Sequence, residues 1–204
     1  DITQKDLKEK VYDLMNWRNA EEVDSVFLNA AIICGFDANE EFKICKLSLK
    51  TEMNMEMAGS IFETVGSGSD SAQIIFSDYV SSKTLDERRN SIDRVEGMIQ
   101  LLRATIAAAK YNMGVGGYFN IIIFDAKEDE PDKRFIEIFD NRAKLASEIV
   151  HSYYNKFISY EDTYELINEL IYNRQKNFEE VNDAFLSSSC NPVKMGKFLR
   201  GYKV

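Results

Sequence analysis

The sequence predicts an α+β fold in which antiparallel strands are covered by helices, and three observations carry that expectation. An apolar run and an alternating run flank the turn signal Asp37-Ala38-Asn39, the pattern of a hairpin. A glycine turn, Gly66-Ser67-Gly68, separates an expected strand from a helical pattern. Two long helical patterns follow Pro131, and no further strand signal is read after it. The order strand, strand, strand, helix, helix, strand, helix, helix, with no internal repeat, argues for helices packed on a face of an antiparallel sheet.

The elements follow in order. Residues 4–18 read as a helix, with Thr3 placed to cap it and Leu7, Val11, Leu14 and Met15 at helical spacing. Val26 to Phe36 is an apolar run expected as a buried strand, and Phe42 to Leu49 alternates as a half-buried one. A loop carrying Met53, Met55 and Met57 then leads to a third strand over about 59–65. After the glycine turn a helix is expected to about residue 80. Thr84 and Glu87 have capping-box spacing for a longer helix reaching about 111, ending in the small apolar run Ile106-Ala107-Ala108-Ala109. Gly114-Val115-Gly116-Gly117 breaks it, and Tyr118 to Asp125 is expected as the fourth strand. Helical patterns occupy 132–156 and 160–186, with Ser159 as the cap of the second.

Charge and composition bound the function. The chain has 204 residues and a net charge of −9, so a phosphate backbone is repelled unless a local basic patch exists. The tail cations Lys194, Lys197, Arg200 and Lys203 are spread as in a solvated chain end. Three cysteines, Cys34, Cys45 and Cys190, lack metal-ligand spacing. An odd, dispersed set argues against a disulfide framework and for a reducing, cytoplasmic location. No apolar run reaches the ~18 residues of a membrane span, and no signal peptide is visible. The first residue is Asp1, not Met, so a processed, trimmed or incomplete product is expected.

Residues 26–126 resemble the later half of proteasome β-type subunits, which are N-terminal-nucleophile (Ntn) hydrolases. The resemblance rests on Ala30-Ala31-Ile32-Ile33-Cys34-Gly35-Phe36-Asp37, on Thr64-Val65-Gly66-Ser67-Gly68-Ser69, and on Ala107-Ala108-Ala109 through Gly116-Gly117 into Asn120 to Phe124. It implies an αββα sandwich, Ntn-hydrolase-like, with amide or peptide hydrolysis by acyl transfer. In that family the nucleophile is an N-terminal Thr, Ser or Cys, and its free amine is the base. Nothing in residues 1–25 resembles that part, so the nucleophile is expected upstream or on another chain. The resemblance places Ser67 at the serine that hydrogen-bonds near the nucleophile's amine. Asn112 falls at a family Asp and Val115 at a family Ser, so both depart from the active pattern. A carboxamide accepts a hydrogen bond but supplies no charge opposite an ammonium.

Other readings of the same residues are weaker. A strand followed by Gly66-x-Gly68 and a helix is how dinucleotide folds hold a pyrophosphate, yet Asp70 would place a negative charge at the phosphate position. His151 is the only histidine and reads as a helix residue with no Cys, Ser or acid in an obvious catalytic constellation. Asp125, Glu128, Asp129 and Glu130 lack the spacing of a calcium loop. The aromatic stripe Tyr153, Tyr154, Phe157, Tyr160, Tyr164 and Tyr172 reads as a packing face, with a partner groove as the alternative. The expectations are therefore a proteasome-β-like domain over 1–130 and a helical hairpin appendage over 131–204. The chain is either a hydrolase using Ser67 and Asn112 or a non-catalytic structural or interaction subunit. No cofactor, metal, nucleic acid or membrane is expected; a protein partner or homo-oligomer is, with a peptide as the possible substrate.

Overall fold

The computed structural model of the chain describes residues 29–39, 41–49, 53–58, 60–90, 92–116, 119–125, 128–130 and 133–201. The helix expected over 4–18 lies outside these residues, as do Val26, Gly117, Tyr118 and Lys203. The described part is mixed α+β, and its contacts group it into two units divided between Gln73 and Ile74.

In the first unit, β1 (Asn29–Phe36), β2 (Phe42–Leu49) and β3 (Met53–Met57) form an antiparallel sheet in the order β1-β2-β3. The expected hairpin is present, in a register pairing Asn29 with Leu49 and Phe36 with Phe42. Asp37 closes its turn, its carboxylate accepting the N–H groups of Asn39 at 2.9 Å and Glu41 at 3.0 Å. These bonds hold the Asp37 carboxyl below its ordinary pKa.

Two expectations fail here. The third strand is not at 59–65 but in the methionine segment, where Met53, Met55 and Met57 pair with Leu49, Leu47 and Cys45. Their spacing of two supplies the alternation a strand needs. Residues 60–65 carry no ladder, and the Thr64 N–H donates instead to the Glu63 carboxylate at 2.8 Å. Nor is β1 buried. Ala30, Ala31 and Cys34 are exposed, and Ile32 and Ile33 are 39% and 38% exposed. The reason is position: β1 is the sheet's edge strand, and only β2 pairs with it among the described residues.

After the glycine turn, α1 (Ser69–Ser81) begins as expected. The predicted long helix is two pieces, α2 (Leu85–Asn90) and α3 (Arg94–Tyr111). The Thr84/Glu87 capping box starts the first, with Thr84 N–H donating to Glu87 at 2.7 Å and Glu87 N–H to the Thr84 hydroxyl at 3.3 Å. Asp93 starts the second by accepting from the N–H groups of Val95 and Glu96, both at 3.0 Å. A side-chain oxygen that satisfies the orphan donors of a new helix competes with continuation of the old one.

β4 (Ile121–Phe124) pairs antiparallel with β5 (Phe135–Ile138). β5 overturns the helix expected from 132 and the absence of later strands. Position 130, where the sequence reading divides the chain, lies in the connection between these two paired strands. The C-terminal region is more than a hairpin: α4 (Asp140–Tyr154), α5 (Tyr160–Ile167), α6 (Phe178–Ser187) and α7 (Pro192–Leu199) follow one another. Ser159 caps α5, accepting the Asp162 N–H at 3.0 Å. The helix expected to run to 186 instead widens into a π-helical turn over Asn168–Asn173 and stops at Arg174, whose φ is 54°. The core draws on both sides of position 130: Val95, Ile99 and Leu102 from α3, Ile121 and Ile138 from the small sheet, then Ile149, Ile167, Leu170, Val181, Phe185 and Met195.

Candidate functional site

The first unit contains the turn that bears Ser67. Gly66 has φ +96°, a backbone setting that side chains oppose, so glycine there follows from the turn itself. The Gly66 carbonyl accepts the Ser69 N–H at 3.1 Å and the Gly68 carbonyl accepts the Ala72 N–H at 3.2 Å. The chain thereby passes directly into α1. Ser67 is exposed at this turn, two residues before the helix begins.

Beside the turn is an open cleft of about 350 Å³ lined by Lys46, Phe62, Glu63, Thr64, Asp70 and Gln73, among others. Lys46 sits 3.5 Å from the Glu63 carboxylate, and that carboxylate also takes the Thr64 N–H. The Thr64 hydroxyl lies 3.4 Å from both the Ser69 carbonyl and the Gln73 side-chain oxygen. Its proton is directed to these acceptors, and Lys46 is ion-paired with Glu63. Asp70, in the first turn of α1, already complements the positive helix end, which disfavours an anion there. The antiparallel sheet also removes the parallel-strand setting that a dinucleotide site uses. Lys46, Glu63, Thr64 and Gln73 were not singled out from sequence; their grouping depends on the placement of the non-ladder stretch 60–65 against β2 and α1.

Asn112 belongs to the second unit. It is the C-cap of α3: its N–H donates to the Ala108 carbonyl at 3.0 Å and its side-chain oxygen accepts the Gly114 N–H at 2.9 Å. Its carbonyl accepts the Val115 N–H at 3.1 Å. The side chain thus closes the helix-ending turn, a task that needs an acceptor and no charge. Ser67 lies in the first unit and Asn112 in the second.

The remaining candidates have structural roles. His151 on α4 is half-buried with its ring 4.6 Å from that of Phe198, and burial, aided by the Lys110 charge, lowers its pKa. The loop with Glu128 and Glu130 is tied by local cations, Arg134 Nε donating to the Glu128 carbonyl at 2.7 Å and Lys133 meeting Glu130 at 2.8 Å. The aromatic stripe packs on α3: Arg103 lies over Tyr154 at 4.5 Å, Arg94 over Tyr172 at 4.6 Å, and the Tyr172 hydroxyl donates to the Arg94 carbonyl at 2.9 Å. Burial pushes Tyr172 and Tyr160 up to about 12, with Glu96 and Asp93 adding to the effect on Tyr160. Among the described residues, no group of three or more His, Cys, Asp or Glu is placed to hold a metal, and no helix is long and apolar enough to cross a membrane.

No family model, curated protein or solved structure matches this chain.

Proposed function

We propose that this chain is a non-catalytic interaction subunit of a cytoplasmic protein assembly, built on a proteasome-β-like αββα framework. The observation that carries the reading is β1: an apolar edge strand whose Ile32 and Ile33 stay more than a third exposed. An edge of this kind is a template for association, and lone proteins protect theirs with charge, proline or a bulge. Supporting it, Asn112 works as a neutral helix cap, and Cys34, Cys45 and Cys190 are free thiols, as a reducing compartment requires. Three antiparallel strands, the glycine turn, three helices and a strand pair follow one another along the chain, and the turn leading into a helix is the part of that order the framework shares.

The test is the native mass of the chain recovered under non-denaturing conditions from cells that produce it. A particle heavier than one chain is expected; a single-chain mass would overturn the reading. Hydrolysis is the second reading, favoured by the exposed Ser67 at the turn before α1. It requires a nucleophile supplied from upstream or by another chain. On peptide amides, turnover by the native particle that Ser67→Ala lowers by ten-fold or more would establish it, and turnover that is absent or indifferent to that change removes it.

A further inference from the structure

The C-terminal cations, expected as a solvated chain end, stand on a docked helix. α7 turns one side inward: Met195 is fully buried, and the Phe198 ring lies 4.6 Å from that of His151 and 5.2 Å from that of Phe157. Its start is fixed as well, the Asn191 side chain accepting the Lys194 N–H at 3.0 Å. Lys194, Lys197 and Arg200 are exposed and follow one another at steps of three, which places them side by side at intervals of about 4.5 Å along the helix axis. Asp183 is the last acidic residue of the chain, and no ion pair engages these three cations among the described residues. Lys46, Lys83, Lys133 and Lys144, by contrast, each meet a carboxylate. Lys194 also opposes the helix itself, since it lies at the positive end of the helix dipole in a first turn that has no acidic residue. Lys156 adjoins the same end: it is exposed and stands at φ 61°, where a helix end ordinarily takes glycine, and the Cys190 sulfur, one residue before the Asn191 cap, lies 3.7 Å from its carbonyl.

We propose that the Lys194, Lys197 and Arg200 face of α7 docks an acidic peptide segment of a partner protein; this deepens, and rests on, the interaction reading above. Charge complementarity selects the occupant. A row of unpaired cations on a packed helix, one of them set against the helix field, is matched by a row of carboxylates, and both Lys and Arg bind a carboxylate through charge-assisted hydrogen bonds. The net charge of −9 selects its size. A nucleic acid extends well past a patch of three cations and meets a predominantly acidic chain, whereas a short acidic segment stays within the patch. At physiological ionic strength, exposed charges more than about 8 Å apart are largely screened. The segment therefore responds to the cations it touches and little to the acids elsewhere.

The purified full chain tests this against a fluorescein-labelled octaglutamate peptide, read by anisotropy. Saturable binding that weakens as salt rises is expected, and Lys194→Gln, Lys197→Gln and Arg200→Gln together should lower the affinity by about ten-fold or more. The same loss of charge made at Lys133, Lys144 and Lys176, which are also exposed, should change it by less than about two-fold. Lys194→Arg with Lys197→Arg should keep it. Circular dichroism should be the same for every variant, because the replaced side chains lie at the surface. An octaglutamate that does not bind, equal losses at the two sets of positions, or tighter binding of a single-stranded octanucleotide overturns the proposal. Native mass judges the interaction reading separately. A particle heavier than one chain together with no binding of the peptide leaves that reading standing and removes this one; a native single-chain mass defeats both.

Discussion

The two units use similar residues to opposite ends. In the second, Ile149, Ile167, Leu170, Ile171, Val181 and Met195 are fully buried, and Phe185 is 1% exposed. In the first, the buried hydrophobics among the described residues are Leu47, Phe62 and Ala72, while Ile32, Ile33, Phe36, Phe42 and Met57 remain exposed. The difference lies in layering. Helical stripes of the second unit meet one another and the Ile121 and Ile138 face of the β4–β5 hairpin, while Ile122, Phe124 and Phe135 on its other face stay exposed. The β1–β3 sheet offers apolar groups on both faces and along one edge. Among the described residues, the second unit holds a packed core and the first holds few buried apolar side chains.

The sharpest challenge to this contrast is to truncate an apolar side chain in each unit. Phe185→Ala should cost about 3–5 kcal/mol of unfolding free energy, as for large side chains removed from a packed core. Ile32→Ala should cost under about 1 kcal/mol in the monomer, because little of the side chain's contact area is lost. Denaturant midpoints measured at low protein concentration decide it; equal losses would end the distinction between core and surface. A smaller effect of opposite sign comes from Ser152. It is fully buried, and its hydroxyl has no hydrogen-bond partner among the described residues. Ser152→Ala should raise stability by about 1 kcal/mol, since an unsatisfied buried hydroxyl keeps only its desolvation cost. A loss of stability on that change would mean that the hydroxyl is paired.

The smallest expected effect is a pH dependence confined to the second unit. Burial lowers the pKa of His151 below the ordinary 6.5. The unfolded chain therefore takes up this proton before the folded one does. Stability is unaffected above pH 6.5 and falls as pH drops from there through the folded value. Glu148, raised above 4.5 by burial, acts in the opposite sense: it favours the folded state increasingly as pH falls through its own raised value. The readout is thus the difference between the native sequence and His151→Asn from pH 7 to pH 5. The substitution should flatten the decline, and identical profiles would remove His151 from the account.

Much of the local structure was legible in the chain. The Thr84/Glu87 box, the Ser159 cap, the Asp37 turn and the Gly66 turn each follow from groups within a few residues, and the structure contains all four. Ser67 lies in the glycine turn read from the sequence, and its grouping with Asn112 came from resemblance. Two of the misses share a cause. Phe135-Ile136-Glu137-Ile138 has strand-like residues, but a strand of four becomes one only when Ile121–Phe124 is alongside. The π-helical turn at Asn168–Asn173 is coupled to a distant residue, since Arg142 donates to the Leu170 carbonyl at 3.2 Å.

By itself, then, the sequence determined the helix starts after Thr84 and Ser159 and the turns at Asp37 and Gly66, because capping side chains and a glycine of positive φ act over one or two turns of chain. It also marked the hairpin of β1 and β2, through alternation and a short turn. Tertiary structure alone decided which apolar segments would be covered. An apolar run reads the same whether its neighbour is another strand, a helix or solvent, and burial depends on what arrives from far along the chain. That is why β1 reads as a core strand in the sequence and stands at the edge of the sheet in the fold.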